Sequence, residues 1–106
     1  MKSYTIHLIR HGITAGNEEG RYIGSTDLPL SGAGEARLKK LAAKYPYPKA
    51  EVYLSSPLKR CTQTMKILYP EAKAILVNDF RECSFGEWEG KTANEIAAKD
   101  PAFAKW

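Results

Sequence analysis

Several familiar kinds of site are missing from this chain. The two cysteines, Cys61 and Cys83, lie too far apart for a CxxC motif, and both are expected to be free thiols in a reducing compartment. No apolar run approaches the roughly 20 residues that a membrane-spanning helix needs. Met1-Lys2-Ser3-Tyr4 leads straight into a strand-like segment, without the apolar stretch and small-residue cleavage site of a signal peptide, so a cytoplasmic location is expected. There is no internal repeat, low-complexity tract or clear linker. Lysines are scattered instead of forming a run, so the net charge of +4 does not point to nucleic acid. A field of that size would equally steer a small phosphorylated metabolite.

What is present is ordinary in bulk and specific in detail. Hydrophobic residues at 43% and charged residues at 26% fit a globular chain. The 106 residues allow one modest domain, 1–106, able to bury roughly 60 to 70% of its unfolded surface. The apolar run Thr5-Ile6-His7-Leu8-Ile9 is followed directly by Arg10-His11-Gly12. An imidazole can attack phosphorus, and a guanidinium can hold phosphoryl oxygens with paired, charge-assisted bonds. A stray polar trio at a strand end is the bland alternative.

Strand-like clusters occur at Tyr4 to Ile9, Val52 to Leu54 and Ala74 to Val77. Between them, Ser31 is placed to cap a helix running to about Lys44, with Ala33, Ala36, Leu38, Leu41 and Ala42 as its apolar face. Ser56-Pro57 reads as the start of a second helix ending near Tyr69. Thr92 and Glu95 form a capping box for a third helix through Lys99. This alternation predicts an α/β fold with a largely parallel sheet. Functional groups gather at strand carboxyl ends in such sheets, where Arg10-His11 and Ser55-Ser56 fall.

Two competing chemistries fail on spacing. On a strand, His7 and His11 would sit roughly 13 Å apart, too far to share a metal ion. The segment Gly86-Glu87-Trp88-Glu89-Gly90-Lys91-Thr92 has three residues between its glycines instead of the four of a P-loop, two of them acidic. No metal or cofactor is expected.

Four stretches occur in order along the chain. They are Arg10-His11-Gly12-Ile13-Thr14-Ala15-Gly16-Asn17, Arg21 to Ser31, Ser55-Ser56-Pro57-Leu58-Lys59-Arg60, and Arg81-Glu82-Cys83-Ser84-Phe85-Gly86-Glu87-Trp88-Glu89-Gly90. Together they resemble the histidine phosphatase superfamily, the phosphoglycerate-mutase-like enzymes, and within it the small bacterial branch that includes α-ribazole phosphatase. The resemblance implies a three-layer α/β/α fold and phosphomonoester hydrolysis. It makes His11 the nucleophile that forms a phosphohistidine and Glu82 the proton donor. Arg10 and Arg60 would clamp the phosphoryl oxygens, Asn17 would add a neutral donor, and Thr14 and Gly24 match positions near the phosphate and substrate. Glu87 and Glu89 are expected to be framework. Ile13 departs from the pattern, which has glutamate there. A cysteine-nucleophile phosphatase would need an arginine six positions after its cysteine, and Ile67 and Glu89 stand at those places.

Members of the family run to roughly twice this length and carry a second active-site histidine followed by glycine after a later strand. No histidine follows His11 here. The chain is therefore expected to be an N-terminal portion of such a protein, poorly active alone. In the family, the strand bearing the second histidine lies beside the Arg10-His11 strand. Without it an apolar edge is left to pair with another chain, and the fragment is expected to fold as a homodimer or with its missing half. Phosphoglycerate-mutase-type transfer and a non-catalytic phospho-ligand-binding fragment stay open as alternatives.

Overall fold

Leu54–Ser55 (β1) and Ile75–Leu76 (β2) pair in parallel, with Leu54 opposite Ile75 and Ser55 opposite Leu76, in a computed structural model that describes residues 2–106. The ladder is continued by Ile75 N–H to the Tyr53 carbonyl (2.8 Å) and Val77 N–H to the Ser55 carbonyl (2.9 Å). A parallel pair needs a crossover connection, and the helix Lys59–Leu68 supplies it. The remaining helices are Ala15–Glu18 (α1), Gly32–Lys44 (α2) and Ala93–Lys99 (α4), with Lys59–Leu68 as α3. Short 3-10 turns occupy Asn78–Phe80, Gly86–Trp88 and Pro101–Lys105. The α/β class read from the alternation is the class observed, with a two-stranded parallel sheet among the described residues.

Two of the three expected helix starts are met as written. Ser31 caps α2 by accepting from Gly34 N–H at 3.0 Å, and Thr92 and Glu95 form the expected capping box on α4. The third start is shifted. Ser56 and Pro57 lie outside α3, which begins at Lys59, and the Ser56 hydroxyl accepts only from Leu58 N–H. The reason lies 32 residues away: Asp27 accepts the Lys59 N–H at 2.7 Å and caps the helix from another loop.

Helix α2 packs tightly on the loop that follows His11. A methyl group at Gly34 would collide with the Ile13 carbonyl, so only glycine permits that approach. The apolar core is small: Leu30, Leu38, Leu58 and Ile96 are its buried members. A separate aromatic cluster joins Tyr22, Phe85, Trp88, Phe103 and Trp106 at ring separations between 5.1 and 6.3 Å. The radius of gyration is 16.3 Å, against about 13 Å for a compact chain of this size.

The expected strand Tyr4 to Ile9 does not form. Residues 2–13 carry no strand or helix, and Tyr4, Ile6 and Leu8 are 83%, 79% and 93% exposed. A strand is made by its ladder partners, and neither β1 nor β2 pairs with this segment. Among the described residues no helix is long and apolar enough to cross a membrane.

Candidate active site

The Arg10-His11-Gly12 turn is held from α3. The Gly12 N–H donates to the Thr64 hydroxyl at 2.9 Å, and that hydroxyl donates to the Arg60 carbonyl at 2.7 Å. His11 Nδ1 lies 2.6 Å from the Gly12 carbonyl oxygen. A carbonyl can only accept, so Nδ1 carries the proton and Nε2 of the neutral ring keeps its lone pair. The turn thereby presents a ring nitrogen able to attack an electrophile.

Asn17 is oriented by the cap of the short helix α1. Its Oδ1 accepts from the Thr14 N–H (3.0 Å) and the Thr14 hydroxyl (3.1 Å), while that hydroxyl accepts from Asn17 N–H (3.2 Å). Both acceptor positions of Oδ1 are used, which leaves the Nδ2 amide as the group free to donate. Thr14 itself is fully buried and spends its hydroxyl on the cap. Arg10, His11 and Asn17 line one cavity of about 350 Å³, together with Arg37 and Tyr47. Its floor includes Leu38 and Leu41, and no carboxylate lines it.

Arg60 and Glu82 form a second group. Arg60 is 1% exposed; its Nη1 donates to the Thr26 carbonyl (2.7 Å), and its Nη2 donates to the Gly24 carbonyl (2.6 Å) and forms an ion pair with Glu82. The Nε is buried without a partner. Neither Arg60 nor Glu82 lines the cavity that holds His11. The link between the two groups is Thr64, which touches Gly12 on one side and the Arg60 carbonyl on the other.

Gly24 sits between Arg60 and Glu89. Its carbonyl takes the Arg60 bond, its N–H donates to the Glu89 carboxylate at 3.0 Å, and a side chain there would collide with the Cys83 carbonyl. Glu89 also accepts from Phe85 N–H (3.0 Å), Thr26 N–H (3.0 Å) and the Thr26 hydroxyl (2.5 Å). Partial burial pushes its carboxyl up, but the Thr26 hydroxyl and the three backbone N–H groups outweigh that and lower it to about 2. Glu89 thus stays ionised at neutral and mildly acidic pH and clamps the 24–26 loop. Burial pushes the Cys61 thiol up, against the smaller opposing effects of Ser56 and Arg60, which keeps it protonated and a poor nucleophile.

Of the residues singled out in the sequence, the structure brings Arg10, His11 and Asn17 to one cavity and Gly24, Arg60 and Glu82 to a neighbouring cluster; Thr14 supports Asn17. Arg37 and Tyr47 were not anticipated. A signal for Arg37 existed in the helix phase, since it follows Gly34 by three positions and precedes Leu41 by four.

Comparison with known proteins gives a consistent answer. A family model described as the histidine phosphatase superfamily (branch 1) matches residues 6–106. The chain is 35% identical over 103 residues to phosphoserine phosphatase 1 of Hydrogenobacter thermophilus, covering 93% of this chain and 48% of that protein. It is 30% identical over 115 residues to a 2,3-bisphosphoglycerate-dependent phosphoglycerate mutase of Bifidobacterium longum, covering 98% and 46%. Among solved structures, a putative alpha-ribazole-5'-P phosphatase from Escherichia coli superimposes with a TM-score of 0.77 at 25% identity, covering 92% of this chain and 50% of that one. The chain spans about half the length of the curated relatives it matches.

Proposed function

Because this chain belongs to the histidine phosphatase superfamily (branch 1), we propose that it binds a small phosphorylated metabolite and takes part in phosphomonoester hydrolysis through a phosphohistidine on His11. The observation that carries this reading is the Nδ1 to Gly12 carbonyl bond, which fixes the tautomer with Nε2 as the attacking atom. The Arg10 guanidinium and the Asn17 amide hold the phosphoryl oxygens with charge-assisted and neutral donors. Nε2 forms a bond to phosphorus as the ester P–O bond breaks, and the leaving oxygen takes a proton from Glu82. Water then attacks phosphorus, giving a proton to Glu82 as its P–O bond forms, and the P–N bond breaks with its electron pair returning to Nε2, which releases phosphate.

Arg60 is the second clamp in this scheme. In the resting chain it is held by its ion pair with Glu82 and by the Thr26 and Gly24 carbonyls. A phosphoryl group that draws Arg60 away releases the Glu82 carboxyl from that pair, so that it can turn to the leaving oxygen. Gly24 shapes the loop whose carbonyl holds Arg60, and Thr14 holds Asn17. We place this chemistry in the cytoplasm, with no cofactor, as part of a single domain.

Relatives include both phosphatases and mutases. The difference is whether water or a second phosphoester receives the phosphoryl group, and the short segment Tyr22-Ile23-Gly24-Ser25-Thr26-Asp27 is closer to the phosphatase branch. A non-catalytic reading, phospho-ligand binding without turnover, is favoured by one observation: Glu82 is paired with Arg60 and does not line the His11 cavity.

A single-turnover incubation with radiolabelled phosphoserine separates these readings. Acid-labile, base-stable label mapped to His11 and absent from His11→Ala is the expected result. Phosphate binding with no label supports the non-catalytic fragment, and label retained in His11→Ala overturns the assignment of the nucleophile.

A further inference from the structure

Of the five arginines in the chain, Arg21 pairs with Glu19 and Glu95, Arg60 pairs with Glu82, and Arg81 donates to the Asn78 side chain. The guanidinium groups of Arg10 and Arg37 have no ion-pair partner among the described residues, and both line the cavity that holds His11. Arg37 stands on the Gly34, Leu38, Leu41 stripe of α2, whose other members pack inward or floor the cavity. Arg37 is exposed, as its neighbours Lys39 and Lys40 are, but of the three it alone lines the cavity.

Two cations lining one space without a carboxylate between them repel each other, and a phosphoryl group held by Arg10 leaves the charge of Arg37 unmatched. A ligand with two anionic groups relieves both charges. The volume, about 350 Å³, suits a small molecule near the lower end of ordinary ligand pockets. A guanidinium fork matches a carboxylate with two parallel bonds.

We propose that Arg37 is a specificity-determining residue that pairs with a carboxylate on the substrate, so that this site selects phosphomonoesters bearing a second, carboxylic acid group. This rests on the reading that Arg10, His11 and Asn17 hold the phosphoryl group. The helix sets where the second anion must lie, and a phosphorylated alcohol without an acid leaves Arg37 unpaired.

Calorimetric titration with O-phosphoserine, phosphoethanolamine and inorganic phosphate tests it, since the first two differ by one carboxylate. The expected result is phosphoserine binding about tenfold more tightly than phosphoethanolamine, the scale of one charge-assisted pair. Arg37→Gln should bring the two affinities together. Lys40→Gln removes the same charge from the same helix outside the cavity and should keep the preference. Equal affinities in the parent chain, or a preference that survives Arg37→Gln, overturn the proposal. Phosphate binding without preference defeats Arg37 alone, whereas failure to bind even phosphate defeats the phosphoryl-site reading and the proposal with it.

Discussion

Gly12 and Thr64 are joined by a 2.9 Å hydrogen bond from the Gly12 N–H to the threonine hydroxyl, across 52 positions of sequence. That bond ties the turn carrying His11 to α3, which carries Arg60. The position of His11 therefore depends on a buried side chain outside the cavity that His11 lines.

Thr64→Val keeps the shape and removes the hydroxyl. It leaves the half-buried Gly12 N–H without its partner, a loss of about 1 kcal/mol, while the Arg60 carbonyl keeps its bond in the α3 ladder. Chemical denaturation should show the drop, and phosphate affinity should fall with it because the turn loosens. Thr64→Ser should restore both. A valine variant that binds phosphate as the parent does would show that α3 does not position His11.

Glu89 links stability to pH. Its carboxyl is lowered from 4.5 to about 2 in the folded chain. The unfolded state therefore binds the proton first as pH falls, so the contribution of Glu89 is complete above about 4.5 and is lost as pH falls toward 2. Glu89→Gln should destabilise the chain at pH 7, and the gap to the parent should narrow steadily below pH 4.5. Urea titrations across pH 7 to 3 measure it; a gap independent of pH would mean that the clamp works without its charge.

Local signals were legible and distant ones were not. Ser31 and the pair Thr92 and Glu95 sit within one helical turn of the groups they satisfy, so sequence spacing alone identifies them. Asp27 caps α3 from 32 residues away, which no local pattern at Ser56-Pro57 could reveal. The alternation at Tyr4 to Ile9 reads as strand because its composition suits a ladder, yet a ladder also requires a neighbour. His11, Arg10 and Asn17 were visible through family resemblance and a shared turn. Arg37 was hidden because an exposed arginine on a lysine-rich helix looks like any solvated charge until Gly34 and Leu38 fix which side of the helix meets the His11 loop.

The cap from Asp27 has a measurable consequence. Asp27→Ala removes the acceptor for the Lys59 N–H, and losing an N-cap carboxylate costs about 0.5 to 2 kcal/mol. The urea midpoint should fall while the m-value stays constant, because the surface exposed on unfolding is unchanged. Helicity of α3 followed by amide hydrogen exchange should drop first at its N-terminal turn. Protection unchanged at Lys59 to Cys61 would show that water replaces the cap at no cost.

The uncovered N-terminal segment carries the last prediction. Tyr4, Ile6 and Leu8 alternate along the chain and are all exposed, as are Val52 beside β1, Leu54 in β1, and Ile75 and Leu76 in β2. Unpaired backbone and apolar side chains at a sheet edge favour pairing with another strand, and a second copy of this chain offers the same surface. Light scattering should therefore give a mass that rises with concentration toward a dimer or beyond. Ile6→Lys with Leu8→Lys places charge on the edge without touching the His11 cavity, and should shift the distribution to monomer while leaving α2 and α4 folded by circular dichroism. A parent chain that stays monomeric at high concentration would show that the segment is covered by its own chain in solution.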